Sequence, residues 1–352
     1  MATLMEQLDA LTRRAWVSTT NHLLREQGQF SRLLMQRAKR DKPTGAKIEM
    51  GLQVKDPPVK WLANALDTYP TNVGGETHKA VQLDWADAVV ALQITGKELR
   101  AQHGVNIQQL LRRNSMAEMP TNERDVLMSI LNDQVKNAQR AFGVVLGSAI
   151  FTGRGEGGKI IGLPAIIDDS TSDYAGMAYN ASAIQTDDVT STTYWEPYVS
   201  LHATPGTLRD FTLELFGTAI NKVRRGGERA EDVVAVCNWD LYTAIELLVR
   251  EQKDYRDNTK LASVGFDAIE WRQTTIMPDE RAPANKIYLC NLNHLWLQVR
   301  PSAGFDNFEG WKSGVGPGGQ DAAYGTVHPE LQLCCNDRHR QALLGDIAGN
   351  SD

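Results

Sequence analysis

The chain has 352 residues with 42% hydrophobic and 23% charged content, a balance that supports one or more buried cores and excludes a wholly disordered protein. Its formal net charge of −6 excludes a protein whose main task is to grip nucleic acid, because neutralising phosphates needs a dominant basic surface. The N-terminal MATLMEQLD lacks the basic start and apolar run of a secretory signal, and no segment approaches the ~18 apolar residues of a membrane span, so a soluble, intracellular product without a membrane partner is expected.

Charge is uneven along the chain. Residues 1–47 hold nine Lys or Arg against four acids, a balance of +5, which leaves −11 for the remainder. A basic arm on an acidic body can pair with a neighbour's acidic surface or face a packaged polyanion. Residues 2–39 read as two helical stretches interrupted near Gly28, whose Leu23, Leu24, Leu33 and Leu34 need cover from elsewhere. Residues 47–55 alternate strictly, with Ile48, Met50, Leu52 and Val54 on one face, as a half-buried strand does. A second strand carries Val81, Leu83 and Trp85, and alternation resumes at Val90, Leu92 and Ile94. The segment between the first two strands contains Pro57, Pro58, Pro70, Gly74 and Gly75 and is too long and broken for a compact turn. A two-stranded ribbon is marginal alone in water, and Trp61, Leu62, Leu66 and Tyr69 at its far end need a surface, so the ribbon is expected to lean on another subunit.

Residues 97–114 suggest a helix, and a second one restarts after Pro120 with Thr121 or Asn122 as cap. Leu127, Leu131, Val135, Ala138, Phe142, Val145 and Ala149 recur at helical spacing, which predicts a helix over 121–150 unless Gly143 and Gly147 divide it. After the glycine-rich link at 153–158, read as a flexible interdomain hinge, the pattern changes to short elements: 160–167, a polar stretch over 168–193, and a helix over 208–225 opened by Thr207 and Asp210. Residues 233–237 read as a buried strand, and 241–252 as a helix capped by Asn238 or Asp240. Strand pairs then run to Val299, strand character returns at 331–335, and the terminus reads as polar and frayed.

Chemistry-bearing motifs are few. Residues 153–159, GRGEGGK, meet the first seven positions of a phosphate-binding loop, but Ile160 stands where a magnesium-ligating Ser or Thr is needed, and a helix end precedes the motif in place of a strand. The seven histidines, at 22, 78, 103, 202, 294, 328 and 339, show no zinc-ligand spacing, and the acid pairs Asp168-Asp169 and Asp187-Asp188 read as solvated loops. Cys237, Cys290, Cys334 and Cys335 match neither a disulfide framework nor a metal pattern and read as reduced structural thiols. No catalytic, cofactor-binding or metal-binding residue is assigned.

The unit at 232–258, DVVAVCNWDLYTAIELLVREQKDYRDN, joins a buried strand to an amphipathic helix and a charged Tyr255-Arg256 loop. With the strand pair at 287–301 and the phrases WVSTTN at 16–21, ITGKEL at 94–99, IGLP at 161–164 and LQLC at 331–334, it resembles the major capsid proteins of tailed phages, of the Hong Kong 97 fold. The resemblance covers residues 11–344 and implies an α+β fold divided into an N-terminal arm (1–45), an extended loop with a β-hairpin (46–95), a peripheral domain (96–159) with a spine helix at 121–150, an axial domain (160–305), and a return to the peripheral domain with the C-terminal tail (306–352). It implies a shell of hexamers and pentamers enclosing double-stranded DNA in the virion, assembled in the host cytoplasm, with a scaffolding protein, a portal and a cement or decoration protein as further partners and only weak, non-specific DNA contact.

Within that resemblance Arg13, Arg14, Lys55, Lys60, Trp61, Tyr69, Tyr255 and Arg256 are the expected intersubunit contacts. Some members carry an N-terminal scaffolding segment removed by proteolysis; the short stretch before Trp16 implies a separate scaffold or a processed chain. Others crosslink a loop lysine to a neighbour's asparagine, for which Lys55 and Lys60 are present but no matching Asn is identified. The alternatives are an encapsulin-like nanocompartment or gene-transfer-particle shell of the same fold and, from another class, a nucleotide-hydrolysing packaging or remodelling enzyme resting on residues 153–159.

Overall fold

A computed structural model describes residues 10, 12, 28–39, 46–53, 78–95, 121–167, 174–177, 195–204, 206–224, 229–251, 269–300, 308–313 and 322–349. After helix α1 (Gln29–Gln36), strand β1 (Lys47–Gln53) pairs antiparallel with β2 (His78–Asp84), in a register from Lys47 opposite Asp84 to Gln53 opposite His78. On the inner face Ile48 meets Leu83 and Met50 meets Val81, and all four are buried in the chain's own core. The described part of the ribbon thus has its apolar face covered within its own chain, while Trp61, Leu62, Leu66 and Tyr69, on which the expected lean on another subunit rests, lie outside the described residues. The ribbon's apolar face is covered by residues far away in sequence, a partner that alternation alone cannot reveal.

Strands β3 (Ala86–Asp87) and β4 (Val90–Thr95) follow, and β4 lies under α2 (Thr121–Thr152), one unbroken helix of 32 residues. At about 1.5 Å per residue it spans ~48 Å. Gly143 and Gly147 are buried inside it and do not divide it. The stripe facing the core runs through Leu131, Val135, Ala138, Leu146 and Ile150. Val145, read from the sequence as part of that stripe, is 65% exposed, because Val144, Val145 and Leu146 are consecutive and only one of them can fall on the buried line.

The rest of the chain forms α3 (Leu163–Ile166), β5 (Tyr198–Ser200), α4 (Leu213–Val223), β6 (Val233–Cys237), α5 (Trp239–Glu251), β7 (Ile269–Trp271), β8 (Thr274–Pro278), β9 (Ile287–Asn291), β10 (Leu295–Val299), β11 (Phe308–Ser313), β12 (Ala322–Val327), β13 (Glu330–Cys335) and β14 (Ala342–Leu344). A six-stranded sheet has the order β5-β14-β9-β6-β8-β7, with β5–β14 and β6–β8 parallel and the other pairs antiparallel. Two three-stranded antiparallel sheets have the orders β10-β13-β3 and β11-β12-β4.

The strands β14, β9 and β6 of the six-stranded sheet are buried on both faces, which is why they read as largely apolar runs. Val233, Ala235, Cys237, Leu289 and Leu344 pack with Phe216 and Ile220 of α4 and Leu241 and Ile245 of α5. The alternate residues Val234, Val236, Tyr288, Cys290 and Leu343 belong to a second cluster with Phe30 and Leu34 of α1, Ile150 and Phe151 of α2, and the three-stranded sheets. Two chain segments cross between layers: β9 lies in the six-stranded sheet and β10 in a three-stranded one, and β13 and β14 divide in the same way.

Two boundaries differ from the sequence reading. Helix α4 starts at Leu213, not at 208, with Thr212 as its cap: its hydroxyl accepts from the Leu215 N–H at 3.3 Å. Residues before it are held extended, since the Arg209 N–H donates to the Asp346 carbonyl at 2.7 Å and the Ala348 N–H to the Arg209 carbonyl at 2.9 Å. The same contacts hold the described part of the tail, where Ala342, Leu343, Leu344 and Ile347 are buried; residues 350–352 of the terminus read as frayed lie outside the described residues. For α5 the cap is Asn238, whose side-chain oxygen accepts from the Asp240 N–H at 2.6 Å.

The glycine-rich link is a pinned turn. The Gly153 N–H donates to Ala149 O at 2.7 Å, the Gly162 N–H to Gly153 O at 3.0 Å, and the Ile161 N–H to the Gln332 side chain at 2.7 Å. A Cβ at Gly162 would lie 2.5 Å from Ala149 O and 2.6 Å from Ile150 O, whereas Gly157, with φ +64, has nothing within 4 Å of its Cβ position. Gly162→Ala is therefore expected to cost at least about 1–3 kcal/mol through backbone overpacking, and Gly157→Ala only about 1–2 kcal/mol through its left-handed backbone. Urea unfolding of the two variants checks the order; equal losses would contradict it.

Candidate assembly surfaces

The ribbon has a polar outer face built from cross-strand pairs. Lys47 Nζ lies 3.1 Å from Asp84 Oδ1, and Gln82 Nε2 donates to Glu49 Oε1 at 3.1 Å. Next come Gly51 and Ala80, opposite each other and exposed. Exposed ion pairs of this kind contribute little to stability, about 0–1 kcal/mol, but they fix register and present a directional polar surface. The described ribbon is thus anchored in the core on one face and polar on the other.

Large apolar side chains lie exposed among the described residues at four further places, one of them Leu208 ahead of α4. Val144 and Val145 stand on the outer side of α2, with Ala141, Ser148 and Thr152 around them in a stretch free of charge. Trp239 and Leu247 stand eight residues apart on α5 with Thr243 between them, a line of i, i+4, i+8 spacing. Val89, 61% exposed, tips the turn between β3 and β4. Beside it His328 sits 3.5 Å from Glu309 and 3.9 Å from Asp87, and Glu309 also meets Lys312 and Thr326. The Lys312 and Thr326 hydrogen bonds hold the Glu309 carboxyl below its ordinary value. Sequence reasoning did not single out Val89, Val144, Trp239 or Leu247; an apolar residue out of phase with its helix or strand is the signal that would have found them.

Thr12 and residues 28–39 make contacts within their own chain. Thr12 is fully buried, and its hydroxyl accepts from Trp311 Nε1 at 3.0 Å. Lys39 adds to the outer edge of β10: its N–H donates to Leu297 O at 2.9 Å, its carbonyl accepts from Val299 N–H at 3.0 Å, and its ammonium sits 3.7 Å from the centre of the Trp296 ring. The contacts expected from the sequence at Arg13, Arg14, Lys55, Lys60, Trp61, Tyr69, Tyr255 and Arg256 all lie outside the described residues, as does the helix read at 97–114.

The interior is chemically quiet where it is described. All four cysteines are buried and free. Burial pushes the Cys237 and Cys334 thiols up to about 12 and those of Cys290 and Cys335 further still. In the glycine-rich turn, the Gly153, Lys159, Ile161 and Gly162 N–H groups already donate to protein oxygens, so they do not converge on a phosphate site, and the helix α2 leads into the turn. Among the described residues no helix is long and apolar enough to cross a membrane.

No family model matches the chain, and no curated protein does. Solved structures do. The chain is similar to the capsid chain of cyanophage A-1(L), with 17% identity over 88% of this chain and 90% of that one and a TM-score of 0.57. It is similar also to the capsid of a native GTA particle, at 11% identity over 90% of each chain with a TM-score of 0.53, and to that of an empty GTA particle at 12% and 0.53 over the same shares. The fold is the Hong Kong 97 capsid fold. At these identities the likeness concerns architecture: the α+β arrangement, and not particular side chains, is what the Hong Kong 97 fold shares here.

Native-state alkylation tests the thiol description. With values near 12, Cys237 and Cys334 are expected to hold a thiolate fraction of about 10⁻⁴ at pH 8 and to remain unlabelled by iodoacetamide until the protein is denatured. Rapid labelling of any of the four in the native state would contradict the burial.

Proposed function

We propose that the protein is the major shell subunit of an icosahedral particle enclosing double-stranded DNA, with a structural and not a catalytic role. The observation that carries this reading is the likeness to phage and GTA capsid chains over about nine-tenths of both partners, which leaves little of the chain outside the shared architecture. Its partners are first of all copies of itself, as hexamers and pentamers. A scaffolding protein, a portal and a decoration protein follow from the same reading, as does assembly in a host cytoplasm and residence in the virion.

In this reading residues 1–45 are the arm, 46–95 the extended loop, 96–159 the peripheral domain with α2 as its spine, 160–305 the axial domain, and 306–352 the returning segment. The returning segment serves both layers, since β13 joins β10 and β3 whereas β14 joins the six-stranded sheet. The base of the ribbon is held by its own chain, and Lys55, Lys60, Trp61 and Tyr69, which lie outside the described residues, are assigned as contacts with a neighbour. Arg13, Arg14, Tyr255 and Arg256 complete the proposed contacts. Likeness to GTA capsids supports a gene-transfer-particle shell as the second reading.

Electron microscopy of the chain expressed with and without residues 56–76 tests the proposal. The full chain is expected to yield closed shells or rings of five and six subunits, and the shortened chain to remain folded yet lose them. Shells that form equally well without the loop would remove its bridging role, and failure of the full chain to form any ring or shell, with or without its co-expressed neighbouring genes, would remove the shell assignment. Nucleic acid content separates the two readings: uniform genome-length DNA fits a phage head, and heterogeneous shorter DNA a gene-transfer particle.

A further inference from the structure

Helix α1 begins without a cap of its own. Gly28 stands at its N-cap position with φ 117 and ψ 123 and has no side chain to accept a first-turn N–H. The acceptor comes from 249 residues away: Asp279, 1% exposed in the turn after β8, accepts the Phe30 N–H through Oδ2 at 3.0 Å and the Arg281 N–H through Oδ1 at 3.0 Å. The fit is close. A Cβ at Gly28 would lie 2.9 Å from Asp279 Oδ2 and 2.9 Å from Arg281 Nη1, and one at Gly147 of α2 would lie 3.0 Å from Arg281 Cδ and 3.1 Å from Ser31 Oγ of α1. At its other end this same segment bridges through Lys39 to Gln298 of β10.

Residues 28–39 therefore touch the six-stranded sheet at one end, the three-stranded β10-β13-β3 sheet at the other, and α2 between them. Those two sheets share one apolar core and are joined covalently by the β9–β10 and β13–β14 crossings, both of which leave from the neighbouring strands β9 and β14. The crossings alone, lying along one line, leave the angle about that line to packing. Asp279 follows β8, two strands beyond β9, or about 10 Å to the side at ~4.8 Å per strand. A third tie placed off the line fixes the angle.

We propose that residues 28–39 are a strap that sets the angle between the two sheets, with Asp279 as its clasp. Phe30, Leu33 and Leu34 supply the grip by burial, and Asp279 supplies the register by completing a helix end that cannot complete itself. The strap is a separable element: opening it uncovers part of the apolar core but leaves the hydrogen-bonded pairing of β6, β8 and β9 in place. The proposal concerns the single chain and its test needs no assembly, so it stands or falls apart from the shell-forming role.

The test uses the full chain with Asp279→Ala, and Gly28→Ala as a second variant that crowds the clasp while leaving the carboxylate in place. Hydrogen exchange is read at residues 30–36 and in β6 and β9, and the distance between spin labels at D87C on β3 and T243C on α5 is read by pulsed electron resonance. Expected are a loss of protection of at least about 10-fold in residues 30–36 in both variants, unchanged protection in β6 and β9, and a label distance distribution that is narrow in the parent and broadened or shifted in the variants. Unchanged protection in residues 30–36 would overturn the clasp. Equal loss in β6 and β9 would show that the strap is no separate element, and a narrow, unshifted distance with the strap released would show that it does not set the angle.

Discussion

The structure depends on a sheet that has to be buried twice. Strands β6, β9 and β14 are buried at every position and apolar at all but Asn291, so neither face of the sheet along these strands tolerates water, and each must be covered by a different part of the chain. Helices α4 and α5 cover one face. The other is covered by the long helix, α1 and the three-stranded sheets, and this single requirement draws residues from both ends of the chain into one cluster.

That shared cluster decides what is left over for other molecules. Because α2, the ribbon base and β10–β13 are used up in covering the sheet, the surfaces they turn outward are the polar ribbon face, the uncharged outer stretch of α2 and the tip at Val89. The described ribbon draws cover for its apolar face from its own chain; under the proposed shell role this separates folding from assembly, so that contacts with neighbours can remain modest and reversible. Two buried polar groups beside the cluster are held by specific partners. The Tyr174 hydroxyl accepts the Cys335 N–H at 2.7 Å, and the fully buried Arg338 donates to Ile166 O at 2.8 Å with its guanidinium over the Tyr174 and Trp195 rings. Burial raises the Tyr174 hydroxyl well above its ordinary value, which keeps it neutral and able to hold that strand end.

Elements with a strong local signature were legible from sequence. The alternation at 47–53, the apolar run at 233–237 and the helical spacing around 131–150 all map onto observed elements, because each pattern is written by its own burial. What escaped was set by distant partners. The start of α4 is delayed because Arg209 is captured by Asp346, the tail is ordered because β14 fills a place between β5 and β9, and the α1 cap is supplied by Asp279. Strands β11 and β12 were missed because Gly310, Gly325 and a register shift between Phe308 and Trp311 interrupt their periodicity. Of the candidate contacts, those chosen for aromatic or basic character fell outside the described residues, and the exposed Trp239 and Val145 were hidden inside helices that read as amphipathic.

Sedimentation velocity over a wide concentration range, at low and high salt, tests the separation of folding from assembly most directly. The account predicts a compact, folded monomer when dilute that gives way to discrete large species when concentrated, with the balance shifting with salt because the outward ribbon face is charged. A monomer that sediments as an expanded chain would contradict the self-covered core, and a compact species that stays monomeric or dimeric under every condition would contradict the shell-forming role.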